Sequence, residues 1–464
     1  LLPFTIIQFF YAPWVAAQTE ARTPRKLPEG TSGHVILTAH NPVSEALIRK
    51  LEQFEYDYVL LQPDFDEASR LHDMGLQVMF GPLDALETYE YARADAAALV
   101  AATADDVLNT NAAFLTRQFA PDVPVIATAT TSTAVTILEK AGATQGFRFG
   151  EMMGRALARC MVGGDAVTHE VGRLDELRVA EANAYRTPLV GKSLRENRLR
   201  ELGVNVIGLW ERGEFRDATP DTVVGEHTIL LLAGSTEQLA AYDEAFVIYN
   251  VSVKPVVIVG GGRVGSATAE ALGARGVDWR LVALRPDVVT DAERPVTGDA
   301  RDPEVLKRAG IEDAPAVIIT THDDSLNTYL TIYCRSIRPD IEIISRATLE
   351  RNIETMHRAG ADFVHSYASM AATTIFNQLK GDRIVTIAEG LDIFRVRVPK
   401  ALDGKTVMSC GVRESTECTI VALRDSSGSL IINPAPDTPL SRNHEMVLAG
   451  SQAAETKFLD QYGE

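Results

Sequence analysis

Three glycines in the second half of this 464-residue sequence have the spacing of a phosphate-binding turn. Gly260, Gly262 and Gly265 directly follow the apolar run 256–259 and open a stretch of helical pattern. In such a turn the first glycine allows a tight bend, the second lets the backbone approach a pyrophosphate, and the third lets the helix pack closely. The helix N-terminus then offers free amides to the phosphates. The pattern predicts an adenine nucleotide site and leaves NAD and ADP both open.

The end of the next predicted strand departs from the usual dinucleotide pattern. An acidic residue about 20 positions after the turn normally holds the ribose hydroxyls. Here the strand ends at Leu284 and Arg285, and the acid is missing. Arg285 suits an adenine ring or a phosphate, and a solvated cation at a strand end is an equally good interpretation.

The elements around the turn alternate between strands and helices. Short runs rich in Val and Ile predict strands at 256–259, 280–284, 316–320 and 341–345. Helical patterns lie between and after them, at 265–275, 303–309, 325–337 and 349–359. This alternation predicts an α/β fold, a Rossmann-like doubly wound parallel sheet covered on both faces. A longer helix at 367–379 then leaves the lobe, and residues 382–464 predict a small α+β lobe.

The chain contains this unit twice. TADDVLNT at 103–110 returns as THDDSLNT at 321–328, KAGA at 140–143 returns as RAGA at 358–361, and LVGKSLRE at 189–196 returns as LDGKTVMS at 402–409. The repeating unit is a whole domain pair and is far too long for a solenoid repeat. In the first copy the three glycine positions fall on Ala39, Asn41 and Ser44. The sequence therefore predicts one nucleotide-binding copy and one copy with an empty or altered site.

Composition excludes several classes of function. The formal net charge of -18 argues against a nucleic-acid partner, because phosphate backbones are bound by clustered Lys and Arg. Four cysteines at unrelated spacings predict reduced, structural thiols. Asp64, Asp66 and Glu67 could ligate Ca²⁺ through oxygen, although a solvated acidic turn explains them better.

The histidines do not form a catalytic set. His169, His227 and His444 are isolated in the sequence, whereas an NAD-dependent dehydrogenase needs a catalytic acid or base in a separate substrate domain. We therefore expect a binding module and no enzyme, and a dehydrogenase is the weakest of the alternatives.

The first seventeen residues carry no charge and have the length of a short membrane span. Tyr11 and Trp14 suit an interfacial aromatic belt, and Arg22, Arg25 and Lys26 follow as on a cytoplasmic side. A signal peptide would need a charged start, which is absent. A buried helix of the soluble domain is disfavoured by the polar stretch that separates the segment from the first strand. The segment predicts the cytoplasmic end of a membrane helix.

The order of several motifs resembles a known family. GDARDPEVLKRAGI at 298–311, VIITTHDDSLN at 317–327, IISRA at 343–347 and RAGADFVHS at 358–366 are similar to regulator-of-K⁺-conductance (RCK) domains, also called TrkA-N domains. The small lobes resemble TrkA-C domains, and the resemblance covers residues 33–464. It implies the end of an inner pore helix at 1–18, a linker at 19–32, a first Rossmann-like lobe at 33–165, a TrkA-C lobe at 166–247, a second Rossmann-like lobe at 254–381 and a second TrkA-C lobe at 382–464.

The resemblance also implies a set of nucleotide-binding residues. They are Gly260, Gly262, Arg263, Val264, Gly265, Leu284, Arg285, Asp299, Ala300, Thr320, Thr321 and Arg346. Leu284 departs from the acid that the family usually carries. Two of the others have structural alternatives, since Asp299 could cap the helix near Asp302 and Arg346 could pair with Glu350. In the first copy Pro82 and Thr128 replace the equivalents of Asp299 and Arg346.

The function that the resemblance implies is a cytoplasmic, ligand-sensing gating ring beneath a potassium pore in the cell membrane. The expected assembly is a homotetramer with eight RCK domains, joined to the pore domain of the same protein and to the bilayer through the N-terminal helix. The ligand would be NAD or ADP, with Ca²⁺ as a further possibility. No selectivity-filter sequence of the TVGYG kind occurs in these residues. The alternative is a soluble NAD-binding regulatory subunit of a Trk/Ktr-type potassium uptake transporter.

Overall fold

The computed structural model describes residues 24–160, 168–184, 187–211, 214–226, 228–246, 254–285, 295–380, 384–388, 391–425 and 428–462. The expected membrane helix at 1–18 and the start of the expected linker lie outside these residues. Within the described ranges no helix has the length and apolar character needed to cross a bilayer. The chain divides into two compact units, Leu1–Gly150 with Tyr367–Leu379, and Glu151–Ser366 with Lys380–Glu464.

The first unit contains a six-stranded parallel sheet with the strand order β3-β2-β1-β4-β5-β6. Its elements are β1 (Val35–Leu37), α1 (Pro42–Gln53), β2 (Tyr58–Gln62), α2 (Phe65–Asp73), β3 (Val78–Phe80), α3 (Leu86–Tyr91), β4 (Leu99–Ala102), α4 (Asp106–Phe119), β5 (Val125–Thr128), α5 (Ser132–Lys140) and β6 (Gln145–Phe147). The central strands are buried along their length, since helices cover both faces.

The chain continues into α6 (Phe149–Cys160) and then into a small antiparallel lobe. This lobe consists of β7 (His169–Leu174), β8 (Leu177–Asn183), α7 (Leu194–Asn197), β9 (Asn205–Glu211), β10 (Glu214–Arg216), β11 (Thr228–Gly234) and α8 (Thr236–Phe246). The strand order is β10-β9-β11-β8-β7. Both faces of this sheet carry buried apolar side chains, since Ala182 of β8 belongs to one hydrophobic cluster and Val179 of β8 to another.

The second parallel sheet repeats the strand order of the first, as β14-β13-β12-β15-β16-β17. Its elements are β12 (Val256–Val259), α9 (Arg263–Ala274), β13 (Trp279–Ala283), β14 (Pro295–Thr297), α10 (Pro303–Arg308), β15 (Ala316–Ile319), α11 (Asp324–Ile337), β16 (Glu342–Ala347), α12 (Ile353–Ala359) and β17 (Phe363–Ser366). The predicted Rossmann-like fold class is confirmed. The sequence pattern did not predict β14 and β17, which are short strands at the two edges of the sheet.

A final helix, α13 (Tyr367–Lys380), leads to the second small lobe. That lobe comprises β18 (Ile384–Ala388), β19 (Leu391–Arg397), α14 (Val412–Thr416), β20 (Thr419–Arg424), β21 (Leu430–Ile432), β22 (Glu445–Gly450) and α15 (Gln452–Tyr462). The two small sheets share a hydrophobic core, to which Leu231 of the first lobe and Val421 of the second contribute. Asn433 also donates from Nδ2 to the carbonyl oxygens of Gly203, at 2.7 Å, and Ala233, at 2.8 Å.

Each Rossmann-like copy supplies its last helix to the unit that contains the other sheet. Helix α13 packs in the first unit, where the rings of Phe376 and Phe54 have centroids 4.8 Å apart. Helix α6 packs in the second unit against α9, and Arg275 donates from Nη1 to the carbonyl oxygen of Ala158 at 2.7 Å. At Gly154 the two helices approach so closely that an added Cβ would lie 2.7 Å from the Val264 carbonyl oxygen. Helix α6 therefore rests directly on the first turn of α9.

We expect Gly154→Ala to destabilise the second unit. Its Cβ would lie 2.6 Å from the Cβ of Ala267, so α6 and α9 would have to separate. Overpacking of this kind costs about 1–3 kcal/mol of unfolding free energy. The matched control is Gly273→Ala, also within a helix, where the nearest atom to the new Cβ lies at 3.5 Å.

The control Gly273→Ala should raise the free energy of unfolding by up to about 1 kcal/mol, because alanine has the higher helix propensity. Urea unfolding of the two variants and the parent measures the difference. If Gly154→Ala is as stable as Gly273→Ala, the helices do not pack as closely as described.

Candidate functional site

The glycine turn between β12 and α9 requires glycine at two positions for internal reasons. Gly260 has a φ of 111°, which favours glycine, and an added Cβ would lie 2.8 Å from Thr320 Oγ1. At Gly265 an added Cβ would lie 1.8 Å from the Gly260 carbonyl oxygen. These two glycines let the helix begin directly against the strand, as the spacing predicts.

Gly262 differs, because nothing in the protein requires a glycine there. Its φ of −74° and ψ of −175° are open to any residue, and no described atom lies within 4 Å of an added Cβ. It is the N-cap of α9 but makes no side-chain capping hydrogen bond. The first hydrogen bond of the helix is Ser266 N to the Gly262 carbonyl oxygen, and among the described residues the amides before it have no acceptor. Open space in front of uncapped amides is what an anionic ligand needs.

Thr320 and Thr321 use their hydroxyls inside the protein. Thr320 is 3% exposed, and its Oγ1 lies 3.0 Å from the carbonyl oxygens of both Val259 and Gly260. The hydroxyl of Thr321 bonds to Asn327 Oδ1 at 2.5 Å. In the structure both hydroxyls hold the turn and the neighbouring strand end together.

Asp299 is held by an arginine of its own turn. Arg301 donates to the carboxylate from its backbone N at 2.9 Å, from Nε at 3.0 Å and from Nη2 at 2.5 Å. These hydrogen bonds lower the pKa of Asp299, the side-chain bond from Arg301 being the largest cause. The cap of α10 is Asp302, which accepts from Glu304 N at 3.0 Å. The alternative role of Asp299 as a cap is therefore not what the structure shows.

The remaining predicted site residues lie at or behind the same edge of the sheet. Val264 is buried in the first turn of α9, and Ala300 packs against the core of the lobe. Leu284 is 71% exposed, and Arg263 and Arg285 are also exposed. Arg346 lies on β16, which is the second strand from the glycine turn on the opposite side.

The DDxxN motif occurs in both copies, and we assigned no role to it. In the structure it joins the strand ends around the site, and we call this set of hydrogen bonds the frame. Asp323 caps α11 by accepting from Ser325 N at 2.9 Å, and Asp324 accepts from Thr348 N at 2.6 Å. Asn327 donates from Nδ2 to the carbonyl oxygens of Thr321, at 3.0 Å, and Arg346, at 2.9 Å. The motif thus ties the end of β15 to the end of β16.

The first copy uses the same frame. Asp105 caps α4, Asp106 accepts from Thr130 N at 3.0 Å, and Asn109 donates to the carbonyl oxygen of Thr128 at 2.9 Å. The frame is therefore common to both copies and independent of the glycines. Its recurrence at matching positions in the two halves was the sequence signal that could have revealed it.

The glycine turn of the first copy is closed by a side chain. Asn41 Oδ1 accepts from Val43 N at 3.0 Å and from Ser44 N at 3.1 Å, while Asn41 Nδ2 donates to the Thr103 carbonyl oxygen at 2.8 Å. The Ser44 hydroxyl completes the capping box by accepting from Asn41 N at 2.8 Å. Two first-turn amides that have a side-chain acceptor in α1 therefore have none in α9.

Two of the three acidic residues that suggested Ca²⁺, Asp64 and Glu67, have other partners. Asp64 caps α2 by accepting from Glu67 N at 2.8 Å, and Glu67 accepts from Arg70 at 2.6 and 2.7 Å. In the part of the chain that the structure describes, no three metal-ligating side chains cluster as a metal ion would need. The four cysteines form no disulfide, in line with the predicted reduced thiols.

Comparison with known proteins identifies the family. The sequence matches the TrkA-N domain at residues 35–148 and 256–367, and the TrkA-C domain at residues 184–247 and 393–463. A solved structure of the GsuK channel bound to NAD is 31% identical with a TM-score of 0.73, covering 99% of this chain and 84% of that chain. This chain belongs to the TrkA-N/TrkA-C family.

Three further relatives of this TrkA-N/TrkA-C chain show the range of the family. The structure of GsuK bound to ADP is 25% identical with a TM-score of 0.56, covering 82% of this chain and 77% of that chain. Potassium channel protein 1 of Methanocaldococcus jannaschii is 26% identical over 199 residues, 40% of this chain and 60% of that protein. The Trk system potassium uptake protein TrkA homolog of Pyrococcus abyssi is 26% identical over 215 residues, 43% of this chain and 93% of that protein.

We expect Thr320→Val to loosen the glycine turn of the second TrkA-N domain. The substitution keeps the side-chain shape and removes the hydroxyl that bonds Val259 and Gly260, which costs about 1 kcal/mol of unfolding free energy. The matched control is Thr38→Val, since Thr38 is 2% exposed and its hydroxyl has no hydrogen-bond partner among the described residues.

The control should leave stability unchanged or raise it, because it removes an unsatisfied buried polar group. Urea unfolding compares the two variants. Equal losses of stability would contradict the role assigned to the Thr320 hydroxyl.

Proposed function

We propose that the second TrkA-N domain binds one adenine nucleotide, NAD or ADP, and that its occupancy regulates the flow of potassium through a membrane pore. The observation that carries the proposal is the open space at Gly262 in front of the uncapped first turn of α9. The domain acts as a regulatory, non-catalytic module, as the family does.

The phosphates would lie at the N-terminus of α9. The first-turn amides would donate to the phosphate oxygens, and the positive end of the helix dipole would add to their stabilisation. Arg263 lies in that turn, and Arg346 is the fixed positive charge on the other side of the turn. A guanidinium can hold a phosphate bidentately, so both residues are candidates for the pyrophosphate.

The relatives support the choice of ligand. GsuK has been solved with NAD and with ADP, two ligands that share an adenosine diphosphate group. The open side of the glycine turn at Gly262 would receive the pyrophosphate of that shared group. The proposal therefore covers both nucleotides, and the adenosine half of the ligand supplies the common contacts.

A physical link from the site to the rest of the chain starts at α9. Helix α6 rests on the first turn of α9 at Gly154, and α6 is the chain segment that follows the first parallel sheet. A ligand that prefers one position of α9 therefore biases the position of α6. A ligand can move a gate only if it binds more tightly to one arrangement of the protein than to the other. In a homotetrameric ring the change would reach the pore through the linker at 19–32.

A soluble subunit of a potassium uptake system is the second candidate. It is supported by the Pyrococcus abyssi relative, most of whose length is matched by this chain. Both candidates share the nucleotide site and the regulatory role. They differ in whether the full-length protein carries its own pore, so potassium flux in liposomes containing only the full-length protein distinguishes them.

We expect calorimetry to find one NAD or ADP site per chain, and Gly262→Asp to remove it. The new Cβ would have no described atom within 4 Å, and the carboxylate that it carries would repel the phosphates. Gly30→Asp is the matched control, because an added Cβ there also meets nothing within 4 Å. The control should bind like the parent.

Two equal sites per chain, or binding that survives Gly262→Asp, would contradict the proposed site. In liposomes with the full-length channel, nucleotide should change the potassium flux of the parent but not that of Gly262→Asp. A flux response that persists in Gly262→Asp would show that nucleotide binding at this site does not regulate the potassium flux.

A further inference from the structure

The adenosine side of the second site carries an unusual set of side chains. The ends of β12, β13 and β14 lie side by side, since Gly260 N donates to the Val282 carbonyl oxygen at 2.9 Å and Gly298 N donates to the Ala283 carbonyl oxygen at 2.9 Å. Leu284 therefore lies between the glycine turn and the turn that contains Asp299. This is the position where a dinucleotide-binding domain that selects NAD places a carboxylate for the ribose hydroxyls.

A carboxylate at that position selects in two ways. It accepts hydrogen bonds from the ribose 2′- and 3′-hydroxyls, and its charge repels a phosphate attached to the 2′-oxygen. Leu284 does neither. Its exposed side chain offers an apolar surface on which an adenine ring can pack, and the repulsion that excludes a 2′-phosphate is absent.

The charges at these strand ends favour an additional phosphate. Residues 260–263, 284–285 and 298–301 contain three arginines, Arg263, Arg285 and Arg301, and one carboxylate, Asp299. That carboxylate accepts three hydrogen bonds from Arg301, which also hold its pKa below the ordinary value. Asp299 is therefore already occupied as an acceptor. Arg285 follows Leu284 directly and is exposed, as is typical of an arginine that receives a 2′-phosphate.

We propose that this site takes adenine nucleotides phosphorylated at the ribose 2′-position, so that NADP(H) binds at least as tightly as NAD(H). Leu284 and Arg285 determine this specificity. The inference rests on the proposed function, because it concerns the same glycine turn, and it adds the identity of the ribose-side ligand group.

Calorimetry with two matched pairs of probes tests the inference, namely NAD against NADP, and adenosine 5′-monophosphate against adenosine 2′,5′-bisphosphate. Each pair differs only by the 2′-phosphate. We expect the phosphorylated member to bind with equal or higher affinity in both pairs. Weaker binding of NADP than of NAD would overturn the inference and leave the proposed nucleotide site intact, whereas a failure of all four probes to bind would overturn both.

Two variants identify the residues responsible. Leu284→Asp should reverse the preference and weaken NADP binding by about tenfold or more, since it restores the charge that repels the 2′-phosphate. Arg285→Ala should weaken NADP binding more than NAD binding. The control is Arg280→Ala, an exposed arginine on the same strand but away from its end, which should change neither affinity. An unchanged NADP to NAD ratio in Leu284→Asp would overturn the role of this position.

Discussion

The amides in the first turn of an α-helix have no acceptor within the helix and must find one elsewhere. This chain meets that requirement differently in its two Rossmann-like copies. In α1 the acceptor is the side chain of Asn41, which bonds to Val43 N and Ser44 N. In α9 the residue at the same position is Gly262, which has no side chain to accept from the amides, and no described atom lies within 4 Å of an added Cβ there. The first turn is closed by its own side chain, and the second is the turn at which we propose a ligand.

The surroundings of the two turns are otherwise built alike. The DDxxN motif ties the fourth strand to the fifth in both copies, through Asn109 in the first and Asn327 in the second. This frame holds the strand ends in place whether or not a nucleotide is present. A duplicated domain can therefore lose its ligand and keep its fold, provided that a polar side chain takes over the helix end. Asn41 does so, and its capping contributes about 1 kcal/mol of stability.

Much of the fold was predictable because it depends on local patterns. Apolar runs alternating with helical stretches predicted the parallel sheets, and the glycine spacing predicted the strand–turn–helix of β12 and α9. The packing of α6 and α13 in the unit that contains the other copy's sheet was not predictable, since an amphipathic helix shows the same pattern whichever lobe it packs against. The roles of Thr320 and Asp299 were also beyond the sequence. A residue type at a strand end does not reveal whether its oxygen bonds to Val259, to Arg301 or to a ligand.

Hydrogen–deuterium exchange with and without NAD tests the central claim, that one copy is closed by Asn41 and the other by a nucleotide. Without NAD, the amides of residues 263–265 should exchange faster than those of residues 43–44, which Asn41 already bonds. With NAD, exchange should slow at 260–266 and remain unchanged at 39–45. Slowing at both turns, or at 39–45 alone, would contradict the account.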